Sequence, residues 1–383
     1  MVNQQRLAET FENLASIDSI SRHEFLISGE IQRVLEPFAS KMIIDGAGER
    51  TGSNTGNLIV EISGNRNAPL LMLNAHMDIV EPGLGVKPRF KDGVFSSDGT
   101  TVLGADDKSA IAIIIEVIRV LCENNLPHGP LELVFTICEE IGLLGAKNLD
   151  FNFISAQYGY SLDTADTDCI ITQAPAMNQF EFLVHGRDAH AGADPEKGIN
   201  AILIASQAIS GLKLGRIDPE TTCNIGVIEA RGATNIVPNL ARVKGEVRSH
   251  DEKKLENVTQ NIVSAFKDVV EAYKRLHGEE TLPCLDINIE NEFNRTFIPE
   301  DHLVVTLARR AASNLGRNIT EKKTGGGSDA NIFFDKGIIT GVIGTGMRDI
   351  HTVRESIRLE DMVKTVNLLL EIIKIHSNGA YQP

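Results

Sequence analysis

The chain has little that would take it to a membrane, to nucleic acid or out of the cell. No apolar run approaches the roughly 18–20 residues that a helix needs to cross a bilayer. The opening residues, Met1-Val2-Asn3-Gln4-Gln5-Arg6, contain no apolar signal core, so export is not expected. Basic residues are scarce: 37 Lys and Arg against 52 Asp and Glu give a formal net charge of −15 and a pI near 5.2, with no long basic stretch. Such acidity disfavours nucleic acid and anionic membrane surfaces as partners. Cysteine is sparse and odd in number, five without close pairing, which fits a reducing cytoplasm better than a disulfide scaffold. Internal repeats and low-complexity segments are absent. The glycine-rich stretch Gly325-Gly326-Gly327-Ser328-Asp329 lacks both the P-loop lysine and the G-x-G-x-x-G order that would make it a nucleotide cradle.

What remains is ordinary globular composition, 42% hydrophobic and 23% charged, in 383 residues, enough for about two domains. Several short apolar runs end alike. Leu70-Leu71-Met72-Leu73 leads into Asn74-Ala75-His76-Met77-Asp78, and the run 131–137 leads through Cys138, taken as core, into Glu139-Glu140. Residues 158–162 lead into Asp163, and 338–343 lead through a glycine-rich turn to His351. Each reads as a buried strand whose following loop carries an imidazole or a carboxylate. Ligands collect beyond the carboxyl ends of strands in open α/β sheets, so the four runs point to one shared site. Asp106-Asp107-Lys108 opens a helix over 109–121 that is apolar almost all round and therefore sandwiched between layers.

The middle of the chain reads differently. The pattern predicts strand 180–184, helix 199–212, strands 224–230 and 240–247, helix 251–276 and strand 285–290. The second helix follows from Leu255, Val258, Ile262, Phe266, Val269 and Tyr273, spaced by threes and fours. The order βαββαβ is the ferredoxin-like unit. The expected architecture is thus α/β, with a mixed-sheet catalytic domain formed by 1–175 and 291–383 and a ferredoxin-like α+β domain inserted over 176–290.

His76, Asp106, Glu140, Asp163 and His351 are all nitrogen or oxygen donors, a set that suits zinc, with cobalt or manganese as substitutes. One catalytic zinc usually takes three protein ligands and water. Five ligands favour two ions that share a carboxylate, about 3.5–4 Å apart. Glu139 and Glu140, adjacent in a turn, point different ways, so one can ligate while the other serves as general base. Asp78 is placed to accept from the second nitrogen of His76 and fix its tautomer. Singly, each residue has a plainer reading as a helix cap, a turn or a solvated loop. Their joint occurrence after strands of one domain argues for a di-metal site.

These segments, with Leu103-Gly104-Ala105-Asp106-Asp107-Lys108 and Cys138-Glu139-Glu140-Ile141-Gly142, resemble the di-zinc exopeptidase family of peptidase T, glutamate carboxypeptidases, aminoacylases and succinyl-diaminopimelate desuccinylase. The resemblance covers nearly the whole chain in the family's order and is greatest to the peptidase T-like branch. It implies that His76 and Asp163 hold one zinc, Glu140 and His351 the other, and that Asp106 bridges them through a turn whose Asp106–Asp107 peptide is cis. It implies Glu139 as the base and Asp78 as the partner of His76. The inserted domain would be the lid and would mediate a homodimer. There His190 would reach the developing oxyanion across the dimer, and Asn235 and Arg248 would hold the substrate's carbonyl and terminal carboxylate. Gly326 and Ser328, in the loop 325–329, would line the substrate side of the catalytic domain. The implied activity is removal of the N-terminal residue from short peptides, tripeptides above all. A carboxypeptidase or N-acyl-amino-acid deacylase with the same site is the alternative, since Thr164-Ala165 stand where peptidase T carries glycines.

Overall fold

Four of the apolar runs become parallel strands lying side by side. The computed structural model describes residues 1–379; residues 380–383, expected to complete the catalytic domain, lie outside the described residues. Leu131–Thr136, Leu71–His76, Tyr158–Thr164 and Ile339–Gly344 are consecutive in a mixed sheet. Leu71 pairs with Leu131 and His76 with Thr136, while Asn74 pairs with Ser161. This register brings the carboxyl ends of the strands to one edge of the sheet, and their loops carry the chemistry. The strands are buried on both faces, which explains their unbroken apolar runs.

The helix Ala105–Glu123 packs beneath the strands, and Gln4–Ala15 and Leu359–Ser377 pack against it in turn. Ile111, Ile113, Ile114, Ile115, Val117 and Ile118 are fully buried. Burying each such side chain contributes roughly 1.5–3 kcal/mol. The helix cannot move without opening the layer that holds Asp106.

His376, near the end of Leu359–Ser377, is buried, and its Nε2 lies 2.9 Å from the Tyr158 hydroxyl. Burial depresses the imidazole to about 4, against 6.5 for a free histidine. The unfolded chain therefore binds the extra proton first, and stability is lost as pH falls from about 6.5 through 4. His376→Gln keeps an acceptor for Tyr158 but does not titrate. Denaturant unfolding should show wild type losing about 3 kcal/mol relative to this variant between pH 7.5 and pH 4. Parallel pH curves would mean that His376 is solvated in the folded chain.

The inserted unit comprises Ala174–Thr296 together with Thr324–Gly327, and the remainder forms the other unit. Its antiparallel sheet runs Gly215–Asp218, Thr221–Glu229, Leu240–Ser249, Ala176–His185, Cys284–Phe293. Ala201–Ser210 and Glu252–His277 pack on it around Phe180, Phe182 and Phe266. Asp251 caps the long helix through the Lys254 N–H, and Gly278 ends it at φ 66°. Three features differ from the sequence reading. The strand Gly215–Asp218 has too few apolar residues to show a period. The unit's edges fall at 174 and 296 rather than 176 and 290, because Cys284–Phe293 runs longer and the Ala174 N–H donates to Thr296 Oγ1 at 2.9 Å. The glycine-rich loop is also divided. Thr324–Gly327, and so Gly326, belongs to the inserted unit, where the Thr324 carbonyl meets His250 Nε2 at 3.0 Å.

Candidate active site

His76 is the last residue of its strand, and Met77 returns an N–H to the Thr136 carbonyl as the chain leaves the sheet. Its Nδ1 donates to the backbone carbonyl of Asp78 at 2.9 Å, which leaves Nε2 as the ligand nitrogen. Nε2 lies 3.0 Å from Asp106 Oδ1. Asp106 sits where the chain enters the buried helix, with non-helical φ −84° and ψ 99°, and the Asp106–Asp107 peptide is cis. Its Oδ2 lies 3.3 Å from His351 Nε2, and that nitrogen lies 2.9 Å from Glu140 Oε1. Asp106 thus stands between the two histidines. Among the described residues two groups bring ligand atoms within 4.8 Å of one another: His76 with Asp106 and Glu140, and Asp106 with Asp107 and Asp163. Asp106 is common to both groups.

The Glu139–Glu140 turn is held by carboxylates from elsewhere in the chain. Asp78 Oδ1 accepts the Glu139 N–H at 2.9 Å, and Oδ2 accepts the Glu140 N–H at 3.3 Å and the Ser21 hydroxyl at 2.6 Å. Asp78 thus does more than partner His76. Its main-chain carbonyl fixes the His76 tautomer, and its carboxylate, 3.6 Å from Nδ1, holds the turn. A two-residue spacing lets the carbonyl curl back to the ring while the side chain faces the neighbouring strand's loop. Glu24, fully buried, accepts the N–H groups of Arg22 and Cys138 at 2.9 Å each. Cys138 (φ 52°) and His351 (φ 59°) both occupy left-handed backbone. Each costs about 1–3 kcal/mol, and such strain persists only where surrounding bonds impose it.

The electrostatics call for cations. Burial pushes Asp163, Glu139 and Asp107 well above the ordinary carboxylate range, and their acidic neighbours add to it. Burial raises Asp329 to about 6. Hydrogen bonds to Asp106 and Glu140 raise His351 to about 10. Buried oxygens of Asp107 and Asp329 (Oδ1 in both) lack a hydrogen-bond partner. Two imidazoles cannot neutralise so many buried acids, whereas divalent cations that accept mixed N/O coordination can. The donor set therefore fits two metal ions.

Ser328 is the buried N-cap of Asp329–Asp335, with its N–H donating to Asn331 Oδ1 at 3.1 Å. It thus has a helix-capping role that the sequence reading did not give it. His190, Asn235, Arg248 and Gly326 lie in the inserted unit. His190 Nδ1 accepts the N–H groups of Gly192 and Ala193 at 3.1 Å, and the Ala191 N–H bonds the Asn235 carbonyl at 2.8 Å, so the two segments are tied together. Arg248 engages Glu246 through Nε and Nη2 at 2.9 and 3.1 Å and the Gly325 carbonyl through Nη1 at 3.3 Å.

The model of peptidase family M20/M25/M40 matches residues 72–375, most of the chain. The chain belongs to this family. It is therefore a hydrolase acting on peptides, a metal-dependent exopeptidase with aminopeptidase relatives. A crystal structure of a tripeptidase from Staphylococcus aureus superposes with a TM-score of 0.91 at 34% identity, covering 99% of this chain and 100% of that one. The aminopeptidase PepT from Bacillus cereus gives 0.87 at 38% identity, covering 98% and 99%. The uncharacterised protein YqjE of Bacillus subtilis is 40% identical over 375 residues, 98% of this chain and 99% of its own. Among the described residues, no helix is long and apolar enough to cross a membrane.

Sequence reasoning missed three residues that help build the centre. Asp107 offers an oxygen to the Asp106 and Asp163 group, and its position beside Asp106 was its only signal. Asp329 accepts from the Thr136 hydroxyl at the sheet edge. Glu24, far off in sequence, had no signal at all.

Proposed function

We propose that the chain is a di-zinc aminopeptidase that removes the first residue from tripeptides, with Glu139 as general base. One observation carries the mechanism: adjacent glutamates fixed by one carboxylate, Glu140 bonded to His351 in the metal cluster and Glu139 buried beside it. When bound, the two ions would make water more acidic and polarise the scissile carbonyl. His76, Asp106, Glu140, Asp163 and His351 hold them. Glu139 takes the proton of the attacking water and returns it to the leaving amine nitrogen, which restores the carboxylate for the next turnover. His190 donates to the oxygen that becomes anionic, Asn235 orients the carbonyl, and Arg248 receives the peptide's terminal carboxylate. The inserted unit serves as lid and as contact for a second copy, and the enzyme works in the cytoplasm, consistent with five free cysteines. Gly326 lines the path to the site.

The tripeptidase and PepT likenesses, each spanning whole chains, support the substrate class. The test is a product assay on zinc- or cobalt-loaded protein, offered free tripeptides, free dipeptides, N-acetylated tripeptides and N-acyl amino acids side by side. Release of the first residue from free tripeptides, with acetylated ones refused, is the expected result. Preference for acylated substrates would place the chain with the carboxypeptidases and deacylases of the same site.

A further inference from the structure

Glu355 is buried, 1% exposed, and ligates nothing, yet it lies at the junction of the two segments that frame the metal cluster. Its Oε2 accepts the N–H groups of Leu103 and Gly104, both at 2.7 Å, and its Oε1 accepts the Asp106 N–H at 2.9 Å. Those donors need it. Gly104 is left-handed at φ 74° and Asp106 is non-helical, so no helical carbonyl takes the Asp106 amide. Glu355 is also four residues beyond His351, in the loop that ends in Ser356–Arg358, a strand paired to Val94–Ser96. One carboxylate therefore ties the turn presenting Asp106 to the loop presenting His351. Asp78 does the same for Glu139 and Glu140.

We propose that Glu355 is a positioning residue that sets the placement of Asp106 relative to His351 and thereby the affinity of the metal centre. The inference rests on the reading that these residues hold divalent ions; peptide hydrolysis is not needed to test it. A plainer role, general support of the fold, has its own comparison in this chain. Glu132 is equally buried and accepts the N–H groups of Ser155 and Ala156 at 3.0 and 3.1 Å, but it lies near the amino end of its strand, away from the cluster.

Glu355→Gln has one acceptor oxygen for three amides, and its NH2 group must face at least one of them. Glu355→Asp keeps the charge but shortens the reach, and serves if the glutamine variant does not fold. Cobalt and zinc titrations against a chromophoric chelator, visible spectra of the cobalt-loaded protein and melting of the metal-free protein read the outcome. The glutamine variant should bind the metal about 10–100-fold more weakly, the usual cost of losing an outer partner, with an altered cobalt spectrum. The aspartate variant should fall between it and wild type. Glu132→Gln should lower the melting temperature without moving affinity or spectrum. Wild-type affinity and spectrum in the Glu355 variants, or equal weakening in Glu132→Gln, would overturn the proposal. Wild type that binds no metal would instead overturn the metal reading itself.

Discussion

Replacing Glu139 with alanine should leave both metal ions bound and reduce turnover by about 10²–10⁴-fold, the range that a positioned general base supplies. Glu139 belongs to neither of the two ligand groups, so its loss removes no donor from them. Its backbone stays tied to Asp78 whatever the side chain, so the turn that presents Glu140 survives. Metal analysis after gel filtration and steady-state kinetics on a free tripeptide check the two halves separately. A variant that retains near wild-type turnover would move the base elsewhere, with Asp329, a buried carboxylate at the sheet edge, the next candidate. A variant that loses its metal would make Glu139 a ligand instead.

Asp106→Asn should act on the opposite half of the machinery, on the metal rather than on the proton. Asp106 faces His76 with one oxygen and His351 with the other, and it is common to both ligand groups. Hydrogen bonds from the two imidazoles hold its carboxyl below the usual range despite burial, so it is anionic at neutral pH. Asparagine preserves shape but removes the charge on which both groups converge. Removing one member of a buried ionic arrangement typically costs roughly 3–5 kcal/mol. Applied to the ions, this is about a 10²–10⁴-fold loss of affinity, with stoichiometry falling below two and activity lost along with the metal. Isothermal titration of the metal-free variant measures it. Two ions bound with wild-type affinity would mean that Asp107, its neighbour, is the shared carboxylate.

How far the sequence reveals this centre depends on the range of the contacts involved. His76, Glu139, Glu140 and Asp163 were legible because parallel strands buried on both faces read as unbroken apolar runs, and the residues just past such a run lie at the sheet edge. The helix from Asp106 was legible because a helix apolar all round has to be sandwiched. Asp107, Asp329, Glu24 and Glu355 work through single hydrogen bonds or burial beside residues that only the folded chain brings close. Such contacts leave no period and no spacing. For Asp78 the sequence suggested a neighbour of His76, but spacing does not tell a carbonyl from a carboxylate. The short strand Gly215–Asp218 and the transfer of Thr324–Gly327 to the inserted unit are set by tertiary pairing alone.

The strand Ile339–Gly344 enters the sheet between Tyr158–Thr164 and Cys169–Ala174, two strands made far earlier on the ribosome. It fills the middle of the sheet, so until it arrives Tyr158–Thr164 is an unpaired interior edge, and His351 follows only seven residues behind it. A growing chain, already carrying Glu139 and four of the five ligands, therefore has no closed sheet on which to assemble them. Assembly of the five ligands therefore waits until residues 339–351 have been made and their strand has paired with Tyr158–Thr164.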